Sequence, residues 1–428
     1  MGDMMHDTAE QEEKIILVGV ATAENDDTEQ SLDELEELGQ TAGAVTLAKV
    51  IQNREKVHSA TYIGKGKIQE VKELVEKYDA DCVVCDDELT PAQYNNLQEE
   101  IGVKVIDRTV MILDIFAKRA STSEGKLQVE LAQLRYRASH LVGDRSELSR
   151  LGGGIGTRGP GEQKLEMDRR LIRERITFVR KELAQVQKNR EVTRKKRQEN
   201  PIPVVAIVGY TNAGKSTLLN HLTGAGVLSE DKLFATLDPT TRKFSLENGE
   251  EMLFTDTVGF IRKLPHHLIQ AFRSTLEEAK YADAILHVVD CSNPDMDAQM
   301  HTVYDTLNRL EVGDKPIVTA FNKIDRYEAS ESLKDLHADK TVRISAKYGQ
   351  GIEEMLESIS NVLKANKVLL EKVFSYEEGE KPNLLRKYGQ VLEEEYQNEG
   401  VYMKAYIDRE YLYLFEEPKE RTKEPWEE

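Results

Sequence analysis

Cysteine is scarce in this chain of 428 residues: Cys82, Cys85 and Cys291 are too few for a disulfide framework, which points to a reducing compartment, the cytoplasm. Long apolar runs are missing as well. Ile15 to Ala21, the longest near the start, falls far short of the roughly 20 residues a bilayer span needs, and no signal peptide is visible. The spacing Cys82-Val-Val-Cys85 invites a redox or metal reading. Within Asp-Cys-Val-Val-Cys, however, it reads as a buried strand on which residues three apart face opposite sides, so two packed thiols are expected.

A global basic excess is also lacking, the net charge being −19, but the charge is unevenly spread. Residues 1–35 carry eleven acids and one lysine, and residues 371–428 sixteen acids against nine bases, whereas residues 163–200 carry thirteen Lys or Arg against six acids. The middle of the chain is therefore the part suited to a polyanion, and the acidic ends can fold back on it in a monomer. The length, with 39% hydrophobic and 32% charged residues, favours two to four domains with separate cores.

Periodicity divides the chain accordingly. After an acidic leader (1–13), buried strands at Lys14–Val20, Val45–Val50, Cys82–Cys85 and Val103–Ile106 alternate with amphipathic helices at Ser31–Leu38, Lys67–Tyr78 and Pro91–Ile101, giving an α/β domain over 14–120. Gly64-Lys-Gly66 opens the second helix and can cradle phosphate, although so short a pattern is weak support for a second nucleotide site. Leu127, Leu131, Leu134, Ala138 and Leu141, then Ile172, Ile176, Val179, Leu183 and Val186, follow heptad spacing and predict an antiparallel helical hairpin over 121–199. Its tip, 143–161, contains Leu-Gly-Gly-Gly-Ile-Gly-Thr-Arg-Gly-Pro-Gly. Such a tip either floats or inserts into a crowded polyanionic groove. Glycines such as Gly153, Gly154 and Gly159 allow close approach, and Arg145, Arg150 and Arg158, followed by Arg169, Arg170 and Arg173 on the arm, pair with phosphates. Aromatic residues for base stacking are absent from the tip. A proline-bearing linker (200–203) leads to a second α/β unit over 204–366. A small α+β domain over 371–428 follows, with a strand, a helix at Leu384–Gln397, and one or two strands within Val401–Phe415.

Chemistry is concentrated in the second α/β unit. Gly209-Tyr-Thr-Asn-Ala-Gly214-Lys215-Ser216 follows a β-run and precedes a helical stretch, the context a phosphate-binding loop requires. Gly209, Asn212, Ala213, Gly214 and Thr217 wrap the phosphates, Lys215 neutralises β- and γ-phosphate charge, and Ser216 offers oxygen to Mg²⁺. Asn322-Lys323-Ile-Asp325 ends a strand, and the Asp325 carboxylate can accept two hydrogen bonds from guanine that adenine cannot donate, which makes the nucleotide GTP. Ser345-Ala346-Lys347 matches the loop that closes over the base. Asp256, at a strand end, holds Mg²⁺ through water, Gly259 offers its amide to the γ-phosphate, and Thr240, with Thr241 as the alternative, supplies a Mg²⁺ ligand from the first switch. What is missing is a glutamine after Asp256-Thr-Val-Gly259. Phe260 stands there and cannot orient the attacking water, so either Thr257, His266 or His267 does so in cis, or a partner completes the site.

This motif order, with the glycine-rich tip and Ala235-Thr-Leu-Asp-Pro-Thr240, resembles the HflX family of ribosome-associated GTPases over Lys14 to about residue 366. The resemblance implies a cytoplasmic factor that binds the 50S subunit and 70S ribosomes, places its tip near the peptidyl-transferase centre, and helps split stalled or idle ribosomes. Two other classes stay open on the residues alone: a regulatory switch whose hairpin docks on a protein, and an ATP-driven RNA or ribosome-assembly remodelling factor using Gly64–Gly66.

Overall fold

The computed structural model describes residues 12–23, 27–141, 160–197, 202–224, 233–234, 240–246, 249–263, 278–313, 315–327, 333–365 and 367–415. The tip residues Arg145, Arg150, Gly153, Gly154, Arg158 and Gly159, together with His266 and His267, lie outside them, as do most of the acidic leader and the last acidic stretch.

The first domain runs β1 (Glu13–Ala21), α1 (Thr28–Ala42), β2 (Ala44–Asn53), α2 (Lys65–Tyr78), β3 (Cys82–Cys85), α3 (Pro91–Ile101), β4 (Lys104–Asp107) and α4 (Arg108–Arg119). Its four strands form a parallel sheet ordered β2-β1-β3-β4. Both faces are covered, which is why the strands read as continuous apolar runs. Ile15 and Leu17 pack on the side of α1 and α4, and Ile16 and Val18 on the side of α2 and α3. Cys82 and Cys85 divide between the same two cores, and burial pushes the Cys82 thiol up to about 12, so neither is placed for redox or metal work. Local signals set the helix starts. Thr90 and Gln93 close a capping box before Pro91, Asp107 accepts from the Val110 amide, and Thr122 from that of Gly125.

Two long helices follow, α5 (Ser123–His140) and α6 (Pro160–Arg197). Along α6, Val179 is buried and Ile172, Ile176, Leu183 and Val186 are half-covered, while Arg170, Arg173 and Glu174 are exposed, as the heptad spacing requires. The 38 residues of α6 extend about 57 Å, well beyond the 18 of α5.

The second α/β domain comprises β5 (Val204–Gly209), α7 (Lys215–Thr223), β6 (Thr240–Ser245), β7 (Glu251–Asp256), β8 (Ala284–Asp290), α8 (Met296–Arg309), β9 (Ile317–Asn322), β10 (Lys340–Arg343) and α9 (Ile352–Ala365). Its sheet is ordered β10-β9-β8-β5-β7-β6, parallel except for β6. The central strand β5 thus delivers its C-terminal loop to the crevice where such sheets bind ligands.

The C-terminal domain is β11 (Lys367–Phe374), α10 (Glu380–Tyr388), β12 (Gly389–Gln397) and β13 (Gly400–Asp408), an antiparallel sheet ordered β11-β13-β12. Here the structure corrects the expected helix at Leu384–Gln397. The helix stops at Tyr388, Gly389 turns extended (φ −116°, ψ 159°), and 389–397 pairs with β13. Glutamates 393–395 favour a helix locally, but cross-strand pairing outweighs so small a propensity difference.

Candidate functional site

Glycine geometry shapes the loop after β5. At Gly209 (φ 153°) a Cβ would lie 2.2 Å from the Val288 carbonyl oxygen, and at Gly214 (φ 96°) 2.2 Å from Asn322 Nδ2, so neither position admits a side chain. Between them Asn212 adopts a left-handed conformation (φ 60°), and the loop runs into the N-terminus of α7, where amides and helix dipole favour an anion. Lys215 is 6% exposed and donates from Nζ to the carbonyls of Gly209 (3.1 Å) and Tyr210 (2.6 Å). Burial lowers its pKa to about 8, with Asp256 partly opposing the shift.

Ser216 Oγ donates to Asp256 Oδ2 at 2.9 Å, bringing together two hard oxygens of the kind Mg²⁺ takes. The β6–β7 register sets Thr240 opposite Asp256, whereas Thr241, on the other face of β6, has its hydroxyl 3.0 Å from that of Thr255. Gly259 approaches so closely that a Cβ would meet Thr211 Cγ2 at 2.8 Å and Lys215 Nζ at 3.1 Å.

The expected base-binding residues converge on the same crevice. Asn322, 2% exposed, joins the two halves: its Nδ2 donates to the Ala213 carbonyl (2.8 Å) and its Oδ1 accepts from the Ala346 amide (2.9 Å). Ser345 Oγ donates to Asp325 Oδ1 at 2.6 Å, Lys323 pairs with Asp290 at 2.7 Å, and Asp325 and Lys347 are exposed at the mouth. Thr217 stands in the first turn of α7.

Phe260 is 2% exposed, and its ring belongs to a core shared by both domains, with Ile112 and Phe116 on one side and Phe234, Val258 and Ile261 on the other. Phe116 and Phe234 meet edge to face with ring centroids 4.6 Å apart. The Phe260 backbone is clamped to the phosphate loop: its amide donates to the Gly209 carbonyl (3.1 Å), and its carbonyl accepts from the Thr211 amide (2.8 Å). Thr257 is fully buried, and its hydroxyl donates to the Ile207 carbonyl at 2.7 Å, so it is committed to the sheet and not to a water.

Sequence reasoning missed the charged cluster beside this clamp. Arg108, 2% exposed, pairs with Glu34 and, at 2.8 Å, with Asp86; Lys263 reaches Asp86 and, at 2.8 Å, Asp87; and Arg262 pairs with Asp27. Tyr210 Oη donates to Glu34 (2.6 Å) and accepts from the Arg262 amide (2.8 Å). Alone, burial would push Asp86 up, but Arg108 and Lys263 outweigh it and hold its carboxyl below the ordinary value. The available signal was the position of Asp86 and Arg108 directly after buried strands. A cleft of about 310 Å³, lined by Glu34, Tyr210, Thr211, Asn212 and Asp295 among others, opens between α1 and the phosphate loop.

Comparison with known proteins places this architecture. Residues 29–117 match a family model described as GTP-binding GTPase N-terminal, residues 119–197 one described as GTP-binding GTPase Middle Region, and residues 204–323 one described as 50S ribosome-binding GTPase. A GTPase HflX from Lacrimispora saccharolytica is 62% identical over 399 residues, 93% of this chain and 94% of the relative. The chain belongs to the HflX family of GTPases. The HflX GTPase of Escherichia coli is 42% identical over 362 residues, covering 84% of this chain and 85% of its own. A GTP-binding protein from Sulfolobus solfataricus, solved with GDP, aligns over 82% of this chain and 99% of its own at 24% identity and a TM-score of 0.43. Like its HflX relatives this chain is a GTP-hydrolysing enzyme with a P-loop GTPase domain. Among the described residues no helix is long and apolar enough to cross a membrane.

Proposed function

We propose that this HflX GTPase binds the 50S ribosomal subunit and, acting on 70S ribosomes in the cytoplasm, helps dissociate or rescue stalled or idle ones. The reading is carried by one juxtaposition. A nucleotide domain similar to 50S ribosome-binding GTPases is joined to an α6 arm about 57 Å long, with thirteen bases against six acids over 160–197. The glycine-rich tip, with Arg145, Arg150, Arg158 and its glycines, enters ribosomal RNA near the peptidyl-transferase centre, and Arg170 and Arg173 meet phosphates along the arm. The protein acts as a monomer.

In this reading GTP lies over Gly209, Asn212, Ala213, Gly214, Lys215, Ser216 and Thr217, and its base between Asn322, Lys323, Asp325 and the Ser345-Ala346-Lys347 loop. Lys215 turns from the carbonyls of Gly209 and Tyr210 to the phosphates, and the Gly259 amide donates to the γ-phosphate. Ser216 and Thr240 would hold Mg²⁺ directly and Asp256 through water, the metal neutralising phosphate charge. The 2.9 Å approach of Ser216 to Asp256, and Thr240 opposite Asp256 while Thr241 is engaged elsewhere, fit that donor set. With Phe260 in the core and Thr257 bound to Ile207, neither reaches the attacking water, and docking on the large subunit completes the site.

The test is GTP turnover by the protein alone, with small subunits, and with large subunits, against Lys215→Ala as the blank. Strong acceleration by large subunits alone is expected; turnover already fast without them, or equal with either subunit, overturns the reading.

A further inference from the structure

The C-terminal sheet has one packed face and one open face. Along β13, Val401, Met403, Ala405 and Ile407 are buried with Phe374, Leu385 and Phe415, whereas the intervening Tyr402, Lys404 and Tyr406 are only half-buried on the opposite side. The strand registers arrange the open face in rows. Tyr402 stands between Val373 and Glu395, Lys404 between Glu371 and Glu393, and Tyr406 beside Leu369. Leu369 and Val373 are 44% and 41% exposed, and Glu393 and Glu395 are exposed too. The family models end at residue 323 and assign this domain nothing.

We propose that this face binds an extended, Lys/Arg-rich segment of another protein. A tyrosine ring beside a carboxylate is a site for a cationic side chain, the ring attracting the charge through its quadrupole and the carboxylate pairing with it. The face offers that combination at Tyr402, beside Glu395, with Glu371 and Glu393 flanking the next position along β13 and apolar Val373 and Leu369 available to the aliphatic stems. Of its cations, Lys404 is held 3.8 Å from Glu371, which also accepts from Tyr402 Oη at 2.7 Å, and Lys367 lies at the far end of the face beyond Leu369. Sixteen acids against nine bases over 371–428 disfavour a nucleic-acid backbone and favour a basic polypeptide. At the β12 edge a register irregularity between Val391 and Glu393 and a run of glutamates both blunt strand addition, so recognition beside β12 runs through the face.

The test uses the full chain and no ribosome, so its outcome is separate from that of the ribosomal reading. A fluorescent peptide alternating Lys and Thr is titrated by anisotropy, beside a Glu/Thr peptide and a single-stranded RNA. Glu393→Lys/Glu395→Lys and Tyr402→Ala are compared with Glu353→Lys/Glu357→Lys, an equal charge change on exposed positions of α9. We expect the basic peptide to bind and the two face variants each to weaken it about tenfold, the α9 pair less than about twofold, with GTP turnover unmoved and the chain still folded at the assay temperature in all three. Absence of peptide binding, equal losses in both charge-reversed pairs, unchanged binding by the face variants, or preference for RNA each overturns the proposal.

Discussion

Lys215 shows how a single side chain carries both the fold's constraint and the ligand's demand. It is buried against two carbonyls, and desolvation brings its pKa from 10.5 down to about 8. Phosphate favours the ammonium form, so nucleotide binding raises that pKa and takes up a proton in the range where free Lys215 is neutral. Affinity for GDP is therefore expected to be flat below about pH 8 and to fall by up to about tenfold per pH unit above it, as read by fluorescent-nucleotide titration. A pH-independent affinity up to 9.5 or so would contradict the assignment. Phe260 yields the second prediction at this scale. Because its ring is buried in the core that also holds Phe234, Val258 and Ile261, Phe260→Gln puts an amide into a core and not beside a water. Basal turnover should stay within about twofold, while stability drops by about 3 kcal/mol, measured by denaturant unfolding. A large gain in turnover would show that the side chain reaches the reacting centre.

Among the elements, α6 distributes its arginines unequally. Arg169 is half-buried and donates to the Leu141 carbonyl at 3.1 Å, and Arg175 forms a two-pronged pair with Glu130 at 2.6 and 3.0 Å; both tie α6 to α5. Arg170 and Arg173 are exposed on the outer side. Replacing Arg170 and Arg173 by alanine is expected to weaken large-subunit binding and reduce its salt slope by about two, with little effect on unfolding. Arg169→Ala should do the reverse. Salt-dependent co-sedimentation and thermal unfolding, run on both variants, separate the two roles. The strand β12 illustrates the converse limit, since glutamate-rich 389–397 reads as helix until β13 is beside it.

For the molecule as a whole, what joins the N-terminal and GTPase domains is a shared core together with a buried charge cluster. Asp86 is 1% exposed and takes Arg108, Lys263 and the Ser31 hydroxyl at once. Asp86→Asn leaves Arg108 and Lys263 undercompensated and should cost about 3–5 kcal/mol in denaturant unfolding. In the native protein the contribution of Asp86 is fully present above its ordinary value of 3.8 and is lost only as the pH falls through the lower folded-state value, whereas Glu34, raised by burial, takes its proton at higher pH with no such loss, so the acid loosening due to Asp86 should appear only below about pH 3.8. Intrinsic fluorescence and proteolysis across that range check the sign.

The phosphate loop, the Asn322-Lys323-Ile-Asp325 segment at the end of a strand, the alternating strands and helices of the α/β domains and the basic heptad arm were all legible in the sequence, because each depends on contacts or periodicities spanning a few residues. The same holds for the two cysteines three apart on one strand. What only the tertiary structure decided depends on residues far apart in the chain: the burial of Phe260 in a core shared with another domain, the register that sets Thr240 opposite Asp256 and Thr241 opposite Thr255, the bridge made by Asn322, and the meeting of Lys263 with Asp86 across 177 positions. Local chemistry can be read where the backbone alone arranges it. Burial and charge pairing between domains emerge only when the sheets have stacked, since desolvation is a property of everything that surrounds a side chain and not of its neighbours in sequence.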